Sequence, residues 1–167
     1  MNSTIIYYKN LGVIDTQSII DFYSSIKDVI QWEEYGHLGK QSGVQFADNE
    51  DPFLSAVGKA RFRDNKFHNL NEFYKGTVIE EIVEKYKLFR LRWMWVYPKS
   101  CYSIHCDFTP RIHIPLITNT ENLFVFPNSI PFHLPKGSVF LVRTELLHTF
   151  MNCSNEPRLH LVGAVNF

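Results

Sequence analysis

The sequence predicts a mainly β domain, a double-stranded β-helix (jelly roll) with two N-terminal helices packed on it, and three observations carry that reading. Two segments in the first half, 15–31 and 77–87, show the three-to-four apolar spacing of amphipathic helices. From Leu88 the pattern changes to short aromatic and β-branched runs: "LFRLRWMWVY", "CYSIHCD", "RIHIPLIT", "LFVF", "FHL", "SVFLV", "HTFMN" and "RLHLVGAVNF". Turn signals separate them, among them "PKS", "FTP", "NTEN", "PNS", "PKG" and "CSNEP". Helices followed by about eight short strands fit an antiparallel sandwich or barrel, whose mouth suits a small ligand or a metal. An immunoglobulin-like sandwich is the competing architecture, but the Cys and Trp residues lack its spacing.

Taken in order, the first helix buries Ile19, Phe22, Tyr23, Ile26 and Ile30 on one face, after the cap residues Asp15 and Thr16. Residues 32–71 are rich in Gly, Asn and Asp and keep no sustained period apart from a short strand at "GVQF". They read as connecting structure that forms a lid or one wall of a site. Thr77 and Glu80 make a T-x-x-E capping box directly after Gly76, and Val78, Ile79, Ile82, Val83 and Tyr86 follow on one face. No linker, repeat or low-complexity segment intervenes. Residues 1–167 therefore read as one domain, with 1–87 as a helical and irregular support and 88–167 as the β core.

Composition excludes several classes. At 45% hydrophobic residues the chain can bury a core, so disorder is not expected. Seventeen basic residues balance seventeen acidic ones, and no overall field draws the chain to nucleic acid or to anionic lipid. The locally basic run "KARFRDNK" at 59–66 reads as a solvated loop. The N-terminus lacks the features of a signal peptide, and no apolar stretch is long enough to span a membrane, so a soluble, cytoplasmic protein is expected. Cys101, Cys106 and Cys153 are odd in number and have no CxxC spacing, which suggests free thiols rather than disulfides or structural zinc.

The chemistry concentrates in "SIHCDFTPRIHIPLITN", where His105, Asp107, Arg111 and His113 stand among strand-forming apolar residues. Polar side chains buried there without partners would cost several kcal/mol, so something must satisfy them. On a strand His105 and Asp107 share a face while Cys106 points away. The dipeptide pattern alone is weak. His148, 43 residues later in "ELLHTFMN", supplies a third ligand from another strand. Two histidines and one carboxylate with open positions form the facial triad of non-haem Fe(II) oxygenases, whereas closed four-ligand sets suggest structural zinc. Ten residues beyond His148, Arg158 sits in the otherwise apolar strand "EPRLHLVGAV", where its planar fork needs an anion.

Together, in order, "IHCDFTPRIHIPLITN", "LPKGSVFLVRTELLHTFMN" and "EPRLHLVGAV" resemble the aspartyl/asparaginyl β-hydroxylase family of Fe(II)/2-oxoglutarate-dependent oxygenases, over roughly residues 88–167. The resemblance implies a cupin-like double-stranded β-helix in which His105, Asp107 and His148 hold Fe(II). It also implies that Arg158 pairs with the distal carboxylate of 2-oxoglutarate, while Arg111 and His113 steady the cosubstrate near its chelating end. The implied reaction consumes O2 and gives succinate, CO2 and a hydroxylated amino acid or a peptidyl side chain such as Asp or Asn. One departure stands out: the best-known animal members lack the carboxylate ligand at the position of Asp107, and this chain keeps it. Two other readings compete. One is a cupin-type metalloenzyme that does not use 2-oxoglutarate, and the other is a non-catalytic jelly-roll binding protein.

Several residues are read as structural. His160 is expected to be a hydrogen-bonded core residue, and His37 and His133 are expected in loops. Trp93 and Trp95 share one strand face and are expected in the core. Asn152, beside a turn-forming run, is expected to cap backbone groups.

Overall fold

The computed structural model describes residues 6–58 and 63–166. In chain order the elements are β1 (Tyr8–Val13), α1 (Thr16–Ile26), β2 (Glu33–Glu34), β3 (Gly39–Gly43), β4 (Gln45–Phe46), β5 (Asn69–Leu70), α2 (Val78–Tyr86), β6 (Phe89–Val96), β7 (Ser100–Cys101), β8 (Arg111–Ile117), β9 (Asn122–Val125), β10 (Ser138–Val142), β11 (Thr149–Asn152) and β12 (Arg158–Ala164). A seven-stranded antiparallel sheet in the order β1-β10-β8-β12-β6-β3-β2 faces a three-stranded sheet, β7-β11-β9. The mainly β, helix-buttressed jelly roll expected from the sequence is what forms.

Strand alternation divides the large sheet into two chemically different faces. Leu91 and Trp93 of β6, Ile112, Ile114 and Leu116 of β8, Val139 and Leu141 of β10, and Leu159 and Leu161 of β12 pack with Ile19, Tyr23, Ile26, Ile79 and Ile82 of the two helices. The residues between them turn inward. There Val96, Phe140 and Val142 meet Phe124 and Phe150 of the small sheet in a second apolar cluster. Both faces are covered, and every residue of β12 is buried. Trp93 and Trp95 belong to the helix side, where their indole N–H groups donate to Tyr74 (3.1 Å) and Tyr23 (2.9 Å) hydroxyls.

Both helices occur close to their expected places. The regular part of α1 ends at Ile26, five residues before the expected limit. Ser24 and Ser25 hydroxyls donate to the Ile20 and Phe22 carbonyls there, and a tight turn from Val29 N to Ile26 O follows. Helix α2 is capped by the two residues expected, though not through the reciprocal bonds of a capping box: Thr77 Oγ1 accepts from Ile79 N at 3.2 Å, and Glu80 accepts from Gly76 N at 2.6 Å. Thr77→Ala is expected to lower stability by about 1 kcal/mol, measured as a shift of the urea midpoint; an unshifted midpoint would show that the cap contributes nothing.

Several departures concern strands. The segment "CYSIHCD" gives only the two-residue β7, and beyond it the chain meets the segment leading into β11 through one isolated bridge, His105 to His148. Residues 32–71 in turn supply β3, a full member of the large sheet, rather than connecting structure alone. Its approach to β6 depends on Gly39, whose φ is 148° and where a Cβ would stand 2.0 Å from the Trp95 carbonyl oxygen. The expected "GVQF" strand is split, Gly43 ending β3 and Gln45–Phe46 forming β4. Of the basic run at 59–66, residues 59–62 lie outside the described residues, while Asp64–Lys66 form a short 3-10 turn.

Candidate active site

Between the two sheets opens a cavity of about 750 Å³. Its large-sheet wall comes from inward residues of β6 (Arg90, Arg92, Met94), β8 (Arg111, His113) and β12 (Arg158, Val162). Phe124 and Phe150 face them from the small sheet, and Tyr35, Leu38, Gln41 and Gly58 of the 32–71 region complete a side wall.

His105, Asp107 and His148 converge at one end, each offering a ligand atom, all within 4.8 Å of one another. The backbone brings them together. His105 N donates to His148 O and His148 N to His105 O, both at 2.9 Å, so the two histidines form a hydrogen-bonded antiparallel pair whose rings lie 4.5 Å apart. Asp107 N donates to Thr144 O at 2.8 Å, which sets the carboxylate beside them, with Oδ1 4.0 Å from His105 Nε2. Each ring then donates its Nδ1–H to a carbonyl, His105 to Ser103 O (2.7 Å) and His148 to Leu146 O (2.9 Å). That tautomer leaves both Nε2 lone pairs free for a metal. Burial pushes the His148 imidazole below its usual value, which favours the neutral, ligating form.

Behind this cluster lies a buried network. Arg111 Nε donates to Asp107 Oδ2 at 3.1 Å, while its terminal nitrogens donate to Asp64 at 2.8 and 3.4 Å. Asp64 also accepts from Arg90 Nη1 (3.1 Å) and Thr109 Oγ1 (2.8 Å). Arg90 reaches it from a bulge in β6, with φ at 50°. Arg111 is thus engaged by two carboxylates, and its guanidinium steadies a candidate ligand directly.

Burial alone would raise the carboxyl pKa of Asp64, but Arg111, Thr109 and Arg90 outweigh it and hold the group below its usual value. A lowered folded-state pKa contributes stability that is present above the unfolded value and is lost as pH falls through the folded one. The stability of the protein is therefore expected to fall more steeply below about pH 4, and Asp64→Asn to remove part of that slope in urea titrations. An identical slope in the variant would contradict the network.

Arg158 has no carboxylate partner among the described residues and is 2% exposed. Its guanidinium lies over the Phe150 ring at 4.1 Å and touches His160 Nδ1, while its Nε has no hydrogen-bond partner. Burial lowers its pKa to about 9. A guanidinium buried without a counter-charge has the chemistry to hold an anion. His113 lies on the same wall, its Nε2 also unpartnered and its ring edge-on to Phe124. Burial, then Arg158, keeps its pKa well below the usual value, so it stays neutral.

The structure therefore brings His105, Asp107 and His148 together and places Arg111, His113 and Arg158 on the facing wall of the same cavity. His160 is a buried partner of Arg158, and Asn152 caps the turn through Ser154 N (3.1 Å) and Glu156 O (2.9 Å). The three cysteines are free and exposed. Sequence reasoning missed Asp64, which sits in an irregular segment without a period, and Arg92. The latter had a signal: in "RLRWM" the alternation puts Arg90, Arg92 and Met94 on the face opposite Trp93.

Comparison with solved structures bears on the fold. An oxidoreductase of the 2OG-Fe(II) oxygenase family from Burkholderia pseudomallei superposes with a TM-score of 0.61, over 94% of this chain and 84% of the other, at 12% identity. The chain has the fold of that oxygenase. A prolyl-4-hydroxylase from Pseudomonas putida gives a TM-score of 0.54 over 94% of this chain and 90% of the other, at 9% identity. No family profile and no curated protein matches the sequence. Among the described residues no helix is long and apolar enough to cross a membrane.

Proposed function

We propose that the protein is an Fe(II)- and 2-oxoglutarate-dependent dioxygenase that hydroxylates an amino acid or a peptidyl side chain such as Asp or Asn. The observation that carries this reading is the His105–Asp107–His148 cluster facing a buried arginine that has no carboxylate partner among the described residues. The donor set suits the metal: two imidazole Nε2 atoms and one carboxylate oxygen are the ligand types of a facial triad with open positions. Bound Fe(II), with those positions open to 2-oxoglutarate and O2, would supply the chemistry that couples decarboxylation to hydroxylation. The balance is 2-oxoglutarate, O2 and R–H to succinate, CO2 and R–OH.

The residues of the chain hold and orient. Ser103 and Leu146 carbonyls fix the ring tautomers, and Arg111 orients Asp107 by taking its other oxygen. Burial of Asp107 opposes its ionised form, but Arg111 and Arg92 outweigh that and keep it a carboxylate. Arg158 would take the distal carboxylate of 2-oxoglutarate, with His113 beside it on the wall. Phe126 stacks against His148 at 5.6 Å, and Phe124 and Phe150 line the cavity on the same sheet, so apolar rings back the cluster on its buried side.

The sequence pattern His-x-Asp, Arg-x-His-Ile-Pro-Leu, His148 and Arg158 supports placing the chain with the aspartyl/asparaginyl β-hydroxylase type. The test is conversion of 2-oxoglutarate to succinate by purified protein, with and without Fe(II). Succinate that requires iron and O2, and stops on chelation, is the expected result; turnover indifferent to iron, or none with iron bound, would refute the reading.

A further inference from the structure

The cavity wall carries more positive charge than this reaction uses. Four arginines stand on it against one lining carboxylate, Asp107, with Asp64 behind. A divalent cation and the 2-oxoglutarate dianion would cancel each other, so the loaded wall stays cationic. Three of the arginines have a hydrogen-bonded carboxylate or an assigned anion, whereas Arg92 acts on Asp107 only through its field. Arg90 is held by Ala56 O (2.9 Å), Gly58 O (2.6 Å) and Asp64, Arg111 by Asp64 and Asp107, and Arg158 is assigned to the cosubstrate.

Arg92 remains. It is 5% exposed, makes no ion pair among the described residues, and donates through Nη1 to Gln41 Oε1 at 3.1 Å, while its Nε has no partner. With Nη1 taken, the Nε–Nη2 edge is the two-nitrogen fork that matches a carboxylate. Pairing across the sheet separates it from the cosubstrate anchor: Arg92 lies opposite Val162 of β12, whereas Arg158 lies opposite Val96 of β6. Four residues of strand, roughly 13 Å, lie between their backbone positions. The two arginines thus address different anions. Among the described residues, no lining residue other than Asp107 offers a carboxylate that could receive an ammonium group.

We propose that Arg92 anchors a carboxylate of the prime substrate, so that the molecule oxidised is a carboxylic acid rather than a neutral side chain. This rests on the dioxygenase reading, and it names the substrate class of that site. Gln41 holds the guanidinium, and Gly58 N, donating to the same Oε1 at 3.3 Å, ties that support to the side wall.

The test uses full-length protein loaded with Zn(II) and saturated with 2-oxoglutarate. The probes are free L-amino acids and short mono- and dicarboxylic acids, each beside its primary amide, screened by thermal shift and then titrated by calorimetry. Acids are expected to bind and their amides to bind at least about 10-fold more weakly. Arg92→Gln should weaken acid binding about 10- to 100-fold, with Arg92→Lys, which keeps the charge, falling between. Arg158→Gln should instead lose the 2-oxoglutarate titration. Acids and amides binding equally, no acid binding, or a folded Arg92→Gln with wild-type acid affinity would each overturn the proposal. Wild-type protein that binds acids but not 2-oxoglutarate would refute the dioxygenase reading and leave the Arg92 anchor standing.

Discussion

Asp64→Ala is expected to destabilise the protein by about 3–5 kcal/mol, the cost of removing one partner from a buried ion network. Asp64 is 2% exposed and is the common acceptor for Arg90, Arg111 and Thr109. Its loss leaves the buried Arg90 guanidinium without a carboxylate and Arg111 with Asp107 alone. The damage should reach the metal cluster as well, because Arg111 bridges Asp64 to Asp107. Loss of such an outer partner typically weakens metal affinity about 10- to 100-fold. Urea denaturation of the metal-free protein reads the first effect, and Mn(II) titration of folded variant the second. Wild-type stability in Asp64→Ala would show that the network does not form in solution. Lower stability with unchanged Mn(II) affinity would show that Arg111 does not orient Asp107.

Arg158→Ala is expected to weaken 2-oxoglutarate binding about 10- to 100-fold, the worth of a charge-assisted hydrogen bond or pair. Metal affinity should stay near wild type, since Arg158 makes no contact with His105, Asp107 or His148. Removing an unpaired buried charge also relieves the protein of a desolvation penalty. The variant should therefore be no less stable than its lost packing on Phe150 requires. Equilibrium dialysis with labelled 2-oxoglutarate in the presence of Mn(II) measures the affinity. Unchanged cosubstrate affinity in the variant would remove Arg158 from the assignment.

The sequence carried the inner and outer faces of the core strands clearly. In "RIHIPLIT" the alternation separates Arg111 and His113 from Ile112, Ile114 and Leu116, and the structure puts those sets on opposite faces. The His105–Asp107–His148 cluster is legible in the sequence, but for a different reason than a shared strand face. His105 and Asp107 do not share a regular strand; they meet because the paired backbones of His105 and His148, and the Asp107–Thr144 bond, set them side by side. What stayed hidden depends on partners distant in the chain. Strand β3, "GKQSG", has no β propensity of its own and becomes a strand by pairing with β6. Strand β1 is exposed along its length, so no buried alternation marks it. Asp64 lies 47 residues from Arg111, in a turn whose sequence gives no hint that its carboxylate enters the core.

The measurement that bears most directly on the central claim is an anaerobic titration of metal-free protein with Fe(II) and then 2-oxoglutarate, followed in the visible. One equivalent of iron should bind, and added 2-oxoglutarate should bring up the weak charge-transfer band of a bidentate chelate until it saturates. Iron that binds without any band, at 2-oxoglutarate concentrations that saturate related chelates, would contradict the dioxygenase account.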